Sequence, residues 1–148
     1  MPTRPPEDLR SAARTLALVA RVLERAAGDL TLAQYRVLAL VTAGDERASR
    51  LALRLAVGKP TVTAVVDGLV ERGLLEREAV PDDRRATRLV LTGSGRAALD
   101  RAEIEMAERV ERLVDRAEDR AALLEGIAAV QGALEALVRE RLEAEAAS

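Results

Sequence analysis

The apolar positions change period along the chain, and the changes divide it into elements. From Glu7 onward, Leu9, Leu16 and Leu23 recur seven apart, with Ala12, Ala13, Val19 and Ala20 on the same side. That is the stripe of an amphipathic helix, and Gly28 ends it. In Leu30-Thr31-Leu32-Ala33-Gln34-Tyr35, Thr31 and Gln34 have the spacing of a capping box, and Leu30 and Tyr35 that of a hydrophobic staple. The helix they start runs through Val37, Leu38 and Leu40 to Gly44. A short helix capped at Ser49 follows, with Leu51, Ala52 and Leu55 inward, and Val57-Gly58 makes a turn. Lys59-Pro60 opens the next helix, since the missing N–H of proline costs nothing in a first turn. Val62, Val65, Val66, Leu69 and Val70 form its apolar face. Gly73 is expected in the left-handed conformation of a Schellman stop, with Leu74 turned back toward Leu69.

Beyond Gly73 the period drops from 3.6 to 2. Leu75 to Val80 and Thr87 to Leu91 read as strands, and Pro81-Asp82-Asp83-Arg84-Arg85 supplies polar turn chemistry between them. Thr92 suits the N-cap of a long helix with Leu99, Ala102, Met106, Val110, Leu113 and Val114 on one side. A break near Glu118-Asp119 precedes a last helix with Leu123, Leu124, Ile127, Val130, Leu134, Leu137, Val138 and Leu142 inward. Two short helices joined by a tight turn and followed at once by a hairpin describe a winged helix-turn-helix. The predicted fold is mainly α with one small β-hairpin, in a single domain over 1–148.

Composition agrees and narrows the chemistry. The chain of 148 residues is 49% hydrophobic, with one Tyr, two Met and no Phe or Trp, so helix formers dominate. It contains neither Cys nor His. Disulfides, a thiol peroxide sensor, His/Cys zinc sites and a histidine general base are therefore excluded. No cofactor motif, phosphate loop or convergent acid pair stands out, which argues against an enzyme. The acidic run Glu103, Glu105, Glu108 and Glu111 reads as a solvated helix face. The N-terminus lacks a signal-peptide core and no apolar run reaches the roughly 20 residues of a membrane span, so a cytoplasmic protein is expected.

The net charge of −2 does not by itself suggest a nucleic-acid partner. Its distribution does: residues 46–96 hold 10 Lys/Arg and 7 Asp/Glu, a balance of +3, while the rest holds 13 and 18, a balance of −5. A basic middle between acidic flanks is the footprint of a local nucleic-acid surface.

The stretch from Leu30 to Thr92 resembles the winged-helix core of the MarR (multiple antibiotic resistance regulator) family. The matching pieces are Leu30-Thr31 with Gln34 and Leu38, Leu51-Ala52, Thr61-Val62-Thr63, Asp67 with Leu69, Gly73-Leu74, and Asp83-Arg84-Arg85 followed by Leu91-Thr92. The resemblance implies a DNA-binding core over 30–92 and dimerisation helices over 7–27 and 94–145. It implies a homodimeric transcriptional regulator, commonly a repressor, on a roughly palindromic double-stranded DNA site. It also implies a small aromatic or lipophilic effector that binds between the two parts and releases the DNA.

Several residues are then candidates for DNA contact. Lys59, Thr61, Val62 and Thr63 start the helix expected in the major groove, where threonine and valine suit the thymine methyl. Arg84 and Arg85 sit on the wing tip, and a guanidinium there fits a narrow minor groove. Arg50, Arg54, Arg72 and Arg88 are candidates for phosphates, or equally for a solvated surface or an ion pair. The resemblance suggests that Asp83 pairs with an arginine at the wing base, for which Arg77 is the candidate. Tyr35 serves either the staple or, with Leu16, an effector pocket. Ala64 and Gly68 stand where many family members carry long polar side chains, so the reading helix is thin. An interaction scaffold built on the same fold is the alternative, which the arginine-bearing wing disfavours.

Overall fold

The computed structural model describes residues 5–44, 47–80 and 83–147, with only the backbone described at 83–86. Eight elements follow one another: α1 (Glu7–Ala26), α2 (Leu32–Thr42), α3 (Ala48–Leu55), α4 (Lys59–Glu71), β1 (Leu75–Val80), β2 (Asp83–Leu91), α5 (Gly93–Val114) and α6 (Arg120–Ala146). The fold is mainly helical with one antiparallel hairpin, as the periodicity predicts.

Local chemistry sets most of the boundaries. Thr31 and Gln34 form the expected capping box: the Gln34 N–H donates to Thr31 Oγ1 at 3.2 Å, and the Thr31 N–H to Gln34 Oε1 at 3.0 Å. α4 ends in a Schellman motif, in which the Leu74 N–H reaches the Leu69 carbonyl and the Gly73 N–H the Val70 carbonyl, both at 2.9 Å. Gly73 has φ +69°, a conformation that costs glycine little. Asp119 caps α6 by accepting from the Ala122 N–H at 3.0 Å.

Two boundaries differ from the sequence reading. α3 starts at Ala48 with Arg47 as an uncapped N-cap, so Ser49 lies inside the helix. The Arg50 and Leu51 N–H groups both bond to the Arg47 carbonyl, which closes the first turn two residues ahead of the serine. β2 is also longer than expected. Ala79 faces Thr87 but Val80 faces Asp83, so the ladder resumes past an irregularity holding 84–86.

The core lies where α2, α3, α4, β1 and the first half of α5 meet. Leu38, Leu51, Leu69, Leu75, Val37, Val62 and Val66 are its fully buried side chains. The terminal helices behave differently. The stripe on α6 expected to face inward has no buried residue, and Leu134 is 57% exposed. On α1, Leu9 and Leu16 are 60% and 59% exposed, and only its last turn joins the core. The spacing did identify apolar faces, but among the described residues most of their large side chains are left exposed. α6 is also long and apolar enough to span a bilayer by composition, although Glu125, Gln131 and Glu135 interrupt it.

The base of the hairpin is closed by one cluster of backbone contacts. Thr92 Oγ1 donates to the Gly73 carbonyl at 2.6 Å and accepts from the Gly95 N–H at 2.9 Å. The Thr92 N–H donates to the Leu74 carbonyl at 3.2 Å. Gly95 packs so close that a Cβ on it would lie 1.9 Å from the Leu74 carbonyl oxygen. Backbone would have to move to admit one, so Gly95→Ala is expected to cost about 3 kcal/mol or more and lower Tm by roughly 6–12 °C. Gly93→Ala, which meets nothing within 4 Å, is the control and stays within about 0.5 kcal/mol. Chemical and thermal denaturation of both variants tests this.

Candidate nucleic-acid interface

α3 and α4 form the helix-turn-helix, and their turn uses an alanine where a glycine is usual. Ala56 has φ +54°, with its N–H bonded to the Leu53 carbonyl at 3.2 Å and the Val57 N–H to the Ala52 carbonyl at 3.1 Å. A Cβ in the left-handed region costs on the order of 1 kcal/mol. Gly58 is then the extended N-cap of α4, and Pro60 occupies its first turn.

Burial sorts the residues of α4. Val62 is 1% exposed and sits with Val66 and Leu69 in the core. It was expected among the DNA contacts; instead it anchors the helix from beneath. Lys59, Thr61, Thr63 and Ala64 are exposed on the other side. Thr63 Oγ1 donates to the Lys59 carbonyl at 2.9 Å, which leaves its methyl and lone pairs to face outward. The outward face of the first two turns therefore carries one lysine, one proline, two threonines and an alanine.

The wing is tied to this helix by an ion pair. Arg77 on β1 donates to Asp67 on α4 at 2.5 Å. The side chains of Asp83, Arg84 and Arg85 lie outside the described residues, and so does the expected pairing of Asp83 with Arg77. The observed partner Asp67 is ten positions from Arg77, and helix-to-strand pairing of that kind has no local signature in sequence. At the backbone level the ladder irregularity falls at Arg84 and Arg85, and such irregularities re-aim side chains.

The remaining arginines have partners. Arg88 Nε and Nη2 both donate to Glu78 Oε2, at 3.0 and 2.7 Å, across the hairpin stem. That ion pair, rather than an open phosphate site, is its observed environment. Arg50 is exposed on α3 and lines a recess with Gly44, Arg47 and Ser49; it too is engaged. Arg54 is half-buried and engaged, and opens onto two grooves that meet at Arg36, Arg54 and Leu55. Arg72 at the end of α4 donates to the Asp29 carbonyl and to Gln34 Oε1, contacts that the sequence reading missed.

One of the two grooves, of about 300 Å³, runs between α2, α3 and α6. Tyr35, Arg36, Leu40, Leu55, Leu134 and Val138 line it. Tyr35 packs, half-buried, against the core that includes Leu30, and it lines the groove as well. Burial, with the Glu103 carboxylate adding to it, raises its phenol above the ordinary value, which keeps the hydroxyl a donor at neutral pH. Leu16, the other expected pocket residue, is exposed on α1 and is not among the residues lining this groove. Among the described residues no group of three or more His, Cys, Asp or Glu is placed to hold a metal.

A helix-turn-helix whose second helix leads into a pinned two-stranded wing defines a winged helix-turn-helix protein. The family model described as "MarR family" matches residues 28–86, which cover α2 to the wing. The chain belongs to the MarR family. It is 32% identical over 81 residues to an uncharacterized HTH-type transcriptional regulator, YhbI, of Bacillus subtilis strain 168. That match takes in 54% of this chain and 53% of the relative, so the chain spans about half the length of the curated relative it matches. It is also similar to a solved structure of the transcriptional repressor CouR bound to a 23-mer DNA duplex, with 34% identity, a TM-score of 0.67, and coverage of 82% of this chain and 89% of that one. CouR from Rhodococcus jostii RHA1 bound to p-coumaroyl-CoA shares the fold, with 24% identity, a TM-score of 0.69, and coverage of 82% and 87%.

Relief of the strain in the helix-turn-helix turn is measurable. Ala56→Gly is expected to raise stability by about 0.5 kcal/mol, the left-handed penalty less the extra freedom of the unfolded chain. Denaturant titration of the two proteins reads it directly, and a loss of stability would show that the alanine methyl packs favourably in the turn.

Proposed function

We propose that this protein regulates transcription by binding a pseudo-palindromic operator as a homodimer, and that it acts as a repressor. The observation that carries the reading is the hairpin pinned to α4 by Arg77 and Asp67, directly following a helix whose first turns expose Lys59, Thr61 and Thr63. α4 would enter the major groove, with Lys59 on a phosphate and Thr61 and Thr63 on base edges. The wing arginines would enter the adjacent minor groove. The DNA-bound CouR structure supports this use of the fold. Such a protein works in the cytoplasm, where its DNA is.

The homodimer is supported by the uncovered faces of α1, α5 and α6. Leu9, Leu16, Ile104, Leu124, Ile127 and Leu134 are each 43–62% exposed. Monomeric proteins rarely show so much contiguous apolar surface. A two-fold pairing of the terminal helices would cover it and set two winged units one helical turn apart. An effector is supported by the groove at Tyr35, which is mainly apolar with Arg36, Arg54, Gln131 and Glu135 as its polar lining; this suits a small aromatic or lipophilic ligand. The ligand-bound CouR structure is a precedent for an effector on this fold.

Arg85→Ala is expected to weaken DNA binding and to reduce the slope of log affinity against log salt by about 0.9 per lost phosphate contact, while the dimer survives. Titration of labelled operator at several salt concentrations measures it; unchanged affinity and slope would remove the wing from the mechanism. In sedimentation the protein is expected at about twice its 15.9 kDa chain mass. Leu9→Glu with Leu16→Glu is expected to shift it toward the monomer, because buried charge without a partner is costly.

A further inference from the structure

Arg72 resembles one more cation for the DNA backbone, but its hydrogen bonds turn it the other way. It is the C-cap of α4. One guanidinium nitrogen, Nη1, donates to the Asp29 carbonyl at 3.2 Å and to Gln34 Oε1 at 3.0 Å, groups 43 and 38 positions earlier in the chain. Asp29 lies in the turn between α1 and α2, and Gln34 belongs to the capping box that starts α2. Both acceptors are held firmly. Ala26, Ala27 and Leu30, on either side of Asp29, are 1%, 2% and 5% exposed. The Gln34 side chain is fixed by accepting from the Thr31 N–H at 3.0 Å. α1 in turn packs on α5, and these helices carry apolar faces assigned above to the dimer.

Arg72 thus spans from the end of the recognition helix to the point where the dimer helices enter the winged unit. Building on the DNA-binding reading, we infer that Arg72 is a positioning residue that fixes the angle of α4 against the α1–α2 junction. Through that angle it sets the separation of the two recognition helices in a dimer. A dimer with rigid separation prefers one half-site spacing, and a loosened one tolerates several.

The test uses the full chain as wild type, R72A and R72K. An operator is recovered from randomised DNA with the wild type, and one base pair is then inserted or removed between its half-sites. The wild type is expected to discriminate sharply among the three spacings. R72A is expected to lose about tenfold of that discrimination, the equivalent of two ordinary hydrogen bonds, with its salt slope unchanged. R72K keeps the charge but not the fork, and is expected in between; it carries the comparison if R72A does not fold. A salt slope reduced by about 0.9 with spacing preference intact would make Arg72 a phosphate contact and overturn the inference. A lowered Tm with both spacing preference and slope unchanged would make it a helix cap only, and would equally overturn it. Wild-type protein that selects no DNA at low salt would defeat the DNA-binding reading itself, a separate result.

Discussion

The winged unit depends on the contact between the two ends of its hairpin. The backbone of Leu74 is used three times: its N–H closes the Schellman stop of α4, its carbonyl accepts from the Thr92 N–H, and the same carbonyl abuts Gly95. Thr92 uses its hydroxyl twice, toward Gly73 and from Gly95. Four residues thus fix the exit from α4, both ends of the hairpin and the entry to α5. Two-stranded hairpins are marginal by themselves. This one persists because its base belongs to two helix ends, and because Leu75 and Leu89 are buried against α2 and α4.

Outward from that base the structure is held by weak interactions whose value is geometric. Arg77 with Asp67 and Arg88 with Glu78 are exposed ion pairs, and such pairs contribute little to stability. Each does, however, remove a degree of freedom that matters for a reading surface. The first sets the hairpin against the recognition helix, and the second sets the two strands against each other. Because α4 offers only Lys59, Thr61 and Thr63 among its exposed polar groups near the N-terminus, few of its contacts can carry discrimination. The orientation of the helix and the reach of the wing then have to carry more of it, through DNA shape as well as base edges.

How far the sequence revealed this depends on whether the determinants are local. The capping box at Thr31 and Gln34, the left-handed Gly73 and the cap at Thr92 all act within about four residues, and each was legible. The second role of Thr92, donation to Gly73, spans the whole hairpin and was not. The same applies to Asp67 with Arg77 and to Arg72 with Asp29 and Gln34, whose partners are set by how the helices cross. Ser49 misled because a good capping residue near a helix start need not be the one the first turn closes on. Val62 was placed both on the apolar face and among the DNA contacts, and its burial agrees with the first. Motif matching counts positions along α4, whereas burial depends on the angle around it, and Val62 lies at the same angle as Val66 and Leu69.

The terminal helices mark the limit of reading one chain. Their stripes have the spacing of buried faces, so periodicity assigned them inward. In the folded chain Leu9, Leu16, Leu124, Ile127 and Leu134 remain largely exposed. Periodicity reports that a face is to be covered and says nothing about which chain covers it. The two halves of the molecule therefore divide the physics between them. The winged unit completes its core with the last turn of α1 and the first half of α5, elements that adjoin it in the chain. α1 before its last turn and α6 leave most of their large apolar side chains exposed within the chain, so the energy available in those faces remains for association. On the proposed function, a reader with few base-specific groups would gain most from that arrangement, because a second copy would double its contacts and make their separation a source of specificity.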